Sequence, residues 1–112
     1  MDTIAEIHTE SSGDFLHATS SRPNQEPRLQ DLIPIAAVIV GGCETCAEKT
    51  VGRAIKEGAS FEDIQKTLRI LAGLQKMDCF VKAIGREVIA RMDKPLGAAE
   101  RTLREAMHSS NA

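Results

Sequence analysis

The sequence predicts an all-α domain, and three observations carry that reading. From about residue 28 onward the apolar residues recur at three- and four-residue spacing, with no run of the strict alternation that marks a half-buried strand. Gly and Ser stand where helix ends need them. The 42% of apolar residues include three Phe and no Trp or Tyr, so the core must be built from Leu, Ile, Val, Ala and Met, which favours packed helices over a sandwich. At 112 residues there is room for one core and no second. Residues 28–112 read as a compact domain of about five to six helices. Residues 1–27 read as a polar, mobile or loosely docked arm, given Ser11-Ser12-Gly13, Ser20-Ser21, Pro23 and Pro27.

The first helix is expected over Asp31–Val40. Its run Leu32-Ile33-Pro34-Ile35-Ala36-Ala37-Val38-Ile39-Val40 is apolar on every face, which predicts a central, buried helix. Pro34 is tolerated best in a first turn, where N–H groups lack internal partners, so Asp31 is the expected N-cap. Gly41-Gly42 ends this helix. A second helix starts at Cys43 or Glu44 and runs to Glu57, with Cys43, Cys46, Ala47, Thr50, Val51, Ala54 and Ile55 on one face and Gly58 as its stop. Ser60-Phe61-Glu62-Asp63 has the capping-box pattern, with Asp in the place usual for Glu. It opens a third helix striped by Phe61, Ile64, Leu68, Leu71 and Leu74. A fourth helix carries Met77, Phe80, Val81, Ile84, Val88 and Met92. Asp93-Lys94-Pro95 punctuates the chain, and a last helix over Leu96–Met107 places Leu96, Ala99, Leu103 and Met107 at near-heptad spacing.

Charge and cysteine usage narrow the function class. A net charge of −2 leaves no general attraction for nucleic acid or an anionic membrane surface. No apolar run reaches the length of a membrane-spanning helix. Met1–Glu10 lacks a basic segment followed by an apolar one, so no secretory signal is expected there. Three cysteines, two of them three residues apart, do not make the disulfide framework of a secreted domain. They suggest a cytoplasmic protein with a functional pair. No cofactor and no bound metal are expected.

Cys43-Glu44-Thr45-Cys46 is the motif with chemistry in it. A Cys-X-X-Cys at a helix start meets unpaired N–H groups and the positive end of the helix dipole, which favour thiolate over thiol. A thiolate attacks peroxides and disulfides, and the short spacing keeps the second sulfur near enough to resolve the product. Glu44 opposes this by repulsion, whereas Lys49 and Arg53 lie within one or two turns and favour it. The same residues have two other readings. The pair can be two small residues packed under the first helix. It can also be half of a metal site completed by Cys79 and one of His8, His17 or His108.

The residues from Leu32 to Cys46, followed by Ala54 and by Glu57-Gly58-Ala59-Ser60-Phe61-Glu62-Asp63-Ile64, resemble the core of the carboxymuconolactone decarboxylase superfamily, on its alkylhydroperoxidase-D-like branch. The likeness spans about residues 29–92. It implies an all-helical protein assembling as a trimer or hexamer. It also implies a peroxidatic Cys46, a resolving Cys43, and a proton relay through an acid twelve residues before the first Cys and a His four residues after the second. Those positions hold Asp31, where Glu is usual, and Thr50. Thr50 has no basic nitrogen, although its hydroxyl can hydrogen-bond a thiolate one turn away. General-base assistance is worth about 10²–10⁴-fold, so its absence predicts a slow peroxidase or none here.

The expected activity is therefore thiol-dependent oxidoreduction, peroxidase-like or by disulfide exchange, using Cys43 and Cys46. Its expected partners are a hydroperoxide or disulfide substrate and a protein thiol reductant, with neither nucleic acid nor membrane. The alternative is an oligomeric scaffold or binding subunit that kept the fold and lost the relay. Cys79 is expected to pack or to lie at a subunit contact, and His108 to favour a helix C-terminus. Self-association has its own argument: a helix apolar all round and a heptad-like last helix offer more apolar surface than short helices can cover within one chain.

Overall fold

The computed structural model describes residues 27–111. Among them lie six helices and no strand: α1 Leu29–Val40, α2 Glu44–Lys56, α3 Phe61–Leu74, α4 Asp78–Ile84, α5 Arg86–Arg91 and α6 Asp93–Asn111. The all-α expectation is met. The polar arm lies outside the described residues, apart from Pro27. No helix among the described residues is long and apolar enough to cross a membrane.

One contiguous core holds the helices together. Leu32, Ile35 and Ile39 of α1 meet Ala47, Val51 and Ala54 of α2, Ile64, Leu68 and Leu71 of α3, and Leu96, Ala99 and Leu103 of α6. Each set repeats at three or four residues, so one stripe per helix is buried. α6 packs mainly along α2 and next on α3, and α1 packs mainly on α2. The small residues Ala47, Ala54, Ala98 and Ala99 are all buried in this region. Full burial of one Leu or Ile side chain contributes roughly 1.5–3 kcal/mol. Gln75 fastens the end of α3 to the α5–α6 junction: its side-chain amide donates to the Ile89 carbonyl at 3.2 Å and to Asp93 Oδ1 at 2.8 Å.

The helix ends follow local chemistry. After α1, Gly42 N–H donates to Ile39 O and Cys43 N–H to Val38 O, the paired bonds of a Schellman motif. Gly42 has φ +79°, a conformation that favours glycine; a Cβ there would make ordinary contact with Arg91 Cβ at 3.4 Å. The same two-bond motif closes α2 at Gly58. Ser60 Oγ accepts the Asp63 N–H at 3.0 Å and caps α3 as expected. Ser60→Ala should lower stability by about 1 kcal/mol in a urea titration with the m-value unchanged.

Four expectations are corrected. α1 starts at Leu29, and its N-cap is Arg28, with no side-chain cap. Asp31 is therefore not a cap; it sits in the first turn, buried, with its carboxylate 2.6 Å from Arg28 Nε. That leaves Pro34 in the second turn, where it removes the bond to Gln30 O; Gln30 is exposed, which lessens the penalty. Nor is α1 buried on all sides. Ile33 is 61% exposed and Pro34 and Ala37 are also exposed, because α2, α3 and α6 cover only one face. The helix expected over residues 77–92 is two, parted at Gly85 with φ +100°, a backbone conformation that ends the α4 ladder. Finally, Asp93-Lys94-Pro95 does not interrupt the chain. It forms the first turn of α6, where a missing proline N–H removes no helical bond.

Candidate functional site

Cys43 is the N-cap of α2, with extended backbone angles of φ −101° and ψ 105°. Its carbonyl takes the first helical bond, from Ala47 N–H at 3.0 Å. Its sulfur accepts the Cys46 N–H at 3.2 Å, as a capping oxygen would. Cys43 and Cys46 are joined as a disulfide with their Cα atoms 5.2 Å apart. Both are half-buried. The geometry follows from the sequence one step at a time. The Gly41-Gly42 turn releases the chain from α1, Cys43 lands at the cap, and a three-residue advance into the first turn brings Cys46 under it.

The charges around the pair come from elsewhere in the chain. Arg101 of α6 places Nη2 3.3 Å from Glu48 Oε2 and 3.8 Å from Glu44 Oε2. The anion that sits between the two cysteines in sequence is thus partly neutralised. These side chains are about half exposed, so the contribution to stability is small, below about 1 kcal/mol. The significance of Arg101 is local: it offsets the repulsion that Glu44 would exert on a thiolate.

Asp31 and Thr50 line one cleft of about 150 Å³ between α1 and α2, together with Gln30, Pro34, Lys49, Arg53, Ala54 and Glu57. The fold therefore brings the acid and the threonine of the implied relay together, and Thr50 stands one turn beyond Cys46 on α2. The cysteines are not among the lining residues. Lys49 and Arg53 belong to this cleft. Arg28 fixes the buried Asp31 carboxylate from the cleft's edge, at 43% side-chain exposure.

Cys79 is free and exposed, so it does not pack in the core of this chain. Among the described residues no cluster of three or more His, Cys, Asp or Glu side chains is arranged to hold a metal ion. His8 and His17 lie outside the described residues. His108 falls in the last turn of α6, as expected.

Two contributors were not singled out from the sequence. Arg28 pairs with Asp31 at i,i+3, a spacing that was legible but was read as a boundary. Arg101 lies 53 residues beyond Glu48, and nothing local connects them.

No curated protein and no solved structure matches the chain significantly. A model of the carboxymuconolactone decarboxylase family matches residues 13–85, which begins before the core that carried the resemblance and ends at the α4–α5 break. On that match, over more than half its length, the chain belongs to the carboxymuconolactone decarboxylase family.

Proposed function

We propose that this protein is a thiol-dependent oxidoreductase that cycles Cys43 and Cys46 between dithiol and disulfide. The observation that carries the reading is the Cys43–Cys46 disulfide at the first turn of α2. A helix start supplies N–H groups to a sulfur anion, and the bond closes between residues already in reach of each other. In this reading Asp31 and Thr50, which share one cleft, hold the relay positions, and the lack of a base at Thr50 makes peroxide turnover slow. The substrate is a hydroperoxide or a disulfide, and a protein thiol returns the pair to the reduced state. The same reading places the protein in the cytoplasm, where a cycling pair and a free thiol such as Cys79 are kept reduced.

The test is intact mass and peptide mapping of the reduced chain after one equivalent of hydrogen peroxide, with remaining thiols then alkylated. A loss of two hydrogens confined to the peptide holding Cys43 and Cys46, with Cys79 alkylated, is the expected result. If all three thiols are alkylated, the pair is not redox-active and the reading fails.

A second reading, an oligomeric scaffold that kept the fold without the relay, draws on a different observation. Leu29, Ile33, Ile70 and Met77 are 46–62% exposed, and α4 and α5 bury no residue fully. Assembly as a trimer or hexamer would cover such surface. Both readings include self-association, and light scattering decides it: a mass equal to the 12.1 kDa chain removes that part of each.

A further inference from the structure

We propose that Cys43, and not Cys46, is the attacking sulfur, and that the oxidant it meets is a disulfide. This rests on the redox reading of the pair and reverses the roles implied by the family resemblance.

A thiol becomes a nucleophile either because a base takes its proton or because its surroundings stabilise the anion. The first route favoured Cys46 and needed a base at position 50, which holds Thr50. The second route favours Cys43. Its sulfur sits at the N-cap of a 13-residue helix and accepts the Cys46 N–H at 3.2 Å. Cys46 lies inside the first turn, with its own N–H committed to Cys43. Arg101 lies 3.8 Å from Glu44 and offsets part of the nearest opposing charge. Arg101 lies beyond the segment that the family model matches, so this feature comes from the chain's own C-terminal helix.

The missing base also selects the oxidant. Attack on a peroxide expels hydroxide or alkoxide, whose conjugate acid is far weaker than a thiol, so a proton must be delivered to the leaving oxygen. Attack on a disulfide expels a thiolate, whose conjugate acid has a pKa of about 8.5 and which leaves without help. Losing the relay therefore slows the first reaction far more than the second.

The steps balance as follows. The Cys43 thiolate attacks one sulfur of RS–SR; a Cys43–SR bond forms, the S–S bond breaks, and one RS⁻ departs. Cys46 gives up its proton to water and attacks the Cys43 sulfur, closing the Cys43–Cys46 disulfide and expelling the second RS⁻. The protons shed by Cys43 and Cys46 end on the two RS⁻ groups. The protein dithiol loses two electrons and RS–SR is reduced to two RSH.

The experiment uses the full chain in a Cys79→Ser background, since Cys79 is exposed and outside the core. Cys46→Ser and Cys43→Ser are each added, and Ser at position 43 preserves a capping oxygen for α2. The fold is checked by circular dichroism. Each reduced variant is mixed with oxidised glutathione, and the mixed disulfide is followed by intact mass. Cys43 alone should capture glutathione about ten times faster than Cys46 alone. With both cysteines present, oxidised glutathione should close the pair faster than equimolar hydrogen peroxide. Insulin run beside glutathione tells a protein disulfide from a small one, and reduction of either through Cys43 supports the proposal. Capture by Cys46 as fast as by Cys43, or faster closure by peroxide, overturns the proposal and leaves the redox reading intact. A pair that closes with neither oxidant overturns both.

Discussion

Thr50→His should accelerate peroxide-driven closure of the Cys43–Cys46 disulfide by about 10²-fold or more. Thr50 is half-buried, lines the same cleft as Asp31, and stands one turn beyond Cys46. The cleft holds about 150 Å³ of space beside it, bounded on the α1 side by Pro34 and the buried Asp31 carboxylate. An imidazole there would have an acid to orient it and a thiol within one helical turn to deprotonate, the arrangement a general base needs. It could also return that proton to the leaving oxygen. Closure with oxidised glutathione should change little, because a thiolate needs no proton to depart. Rapid quenching with an alkylating agent measures both rates. Thr50→Leu, which adds bulk and no base, separates chemistry from packing. An unchanged peroxide rate in a folded Thr50→His variant would remove position 50 from any relay.

Ile39→Ala should lower stability by about 2–5 kcal/mol. Ile39 is wholly buried in the cluster that joins α1 to α2, α3 and α6, and it lies two residues before the Gly41-Gly42 turn that delivers Cys43. Total stability for a domain is about 5–15 kcal/mol, so this substitution removes a large share of it. The midpoint of thermal unfolding should fall by at least about 10 °C. The partner measurement is Ile33→Ala. Ile33 is 61% exposed in the single chain, and there the change should stay within about 0.5 kcal/mol. A cost at Ile33 approaching that at Ile39, and growing with protein concentration, would mean that a second copy covers the outer face of α1. A small cost at Ile39 would contradict the packing described here.

The sequence and the structure agree most closely where the deciding interactions span three to five residues. Ser60 capping α3, the Schellman turns at Gly42 and Gly58, and Cys43 at the cap of α2 are all of this kind. Backbone donors and acceptors near a helix end have few alternatives, so residue type and order are enough to place them. The apolar stripes were legible for the same reason: a period of three or four residues states which side of a helix needs cover. The cysteine pair is legible from its spacing at a helix start, whereas the relay positions of Asp31 and Thr50 come only from the likeness to the family. Spacing alone places Thr50 one turn beyond Cys46 on α2, but it does not relate Asp31 of α1 to them.

The errors fall where a local signal had two outcomes. Asp31 and Pro34 were both read as marks of a helix start. The observed start is one turn earlier, because the exposed Arg28 gives the buried Asp31 carboxylate a partner within the first turn. A continuous apolar pattern over residues 77–92 hid the break at Gly85, since periodicity registers side chains and not a reversal in φ.

The sequence by itself determined that this chain is helical, where α1 and α2 end and α3 begins, and that two cysteines three residues apart stand at a helix start. Only the tertiary structure decided which face of the all-apolar α1 is covered, that Asp31 and Thr50 open on one cleft, and that Arg101 comes back to Glu44 and Glu48. The physical reason is separation along the chain. A cap or a turn is closed by neighbours whose positions the backbone already limits. A cleft between α1 and α2, or an ion pair between α2 and α6, exists only after the core has chosen how the helices lie against one another.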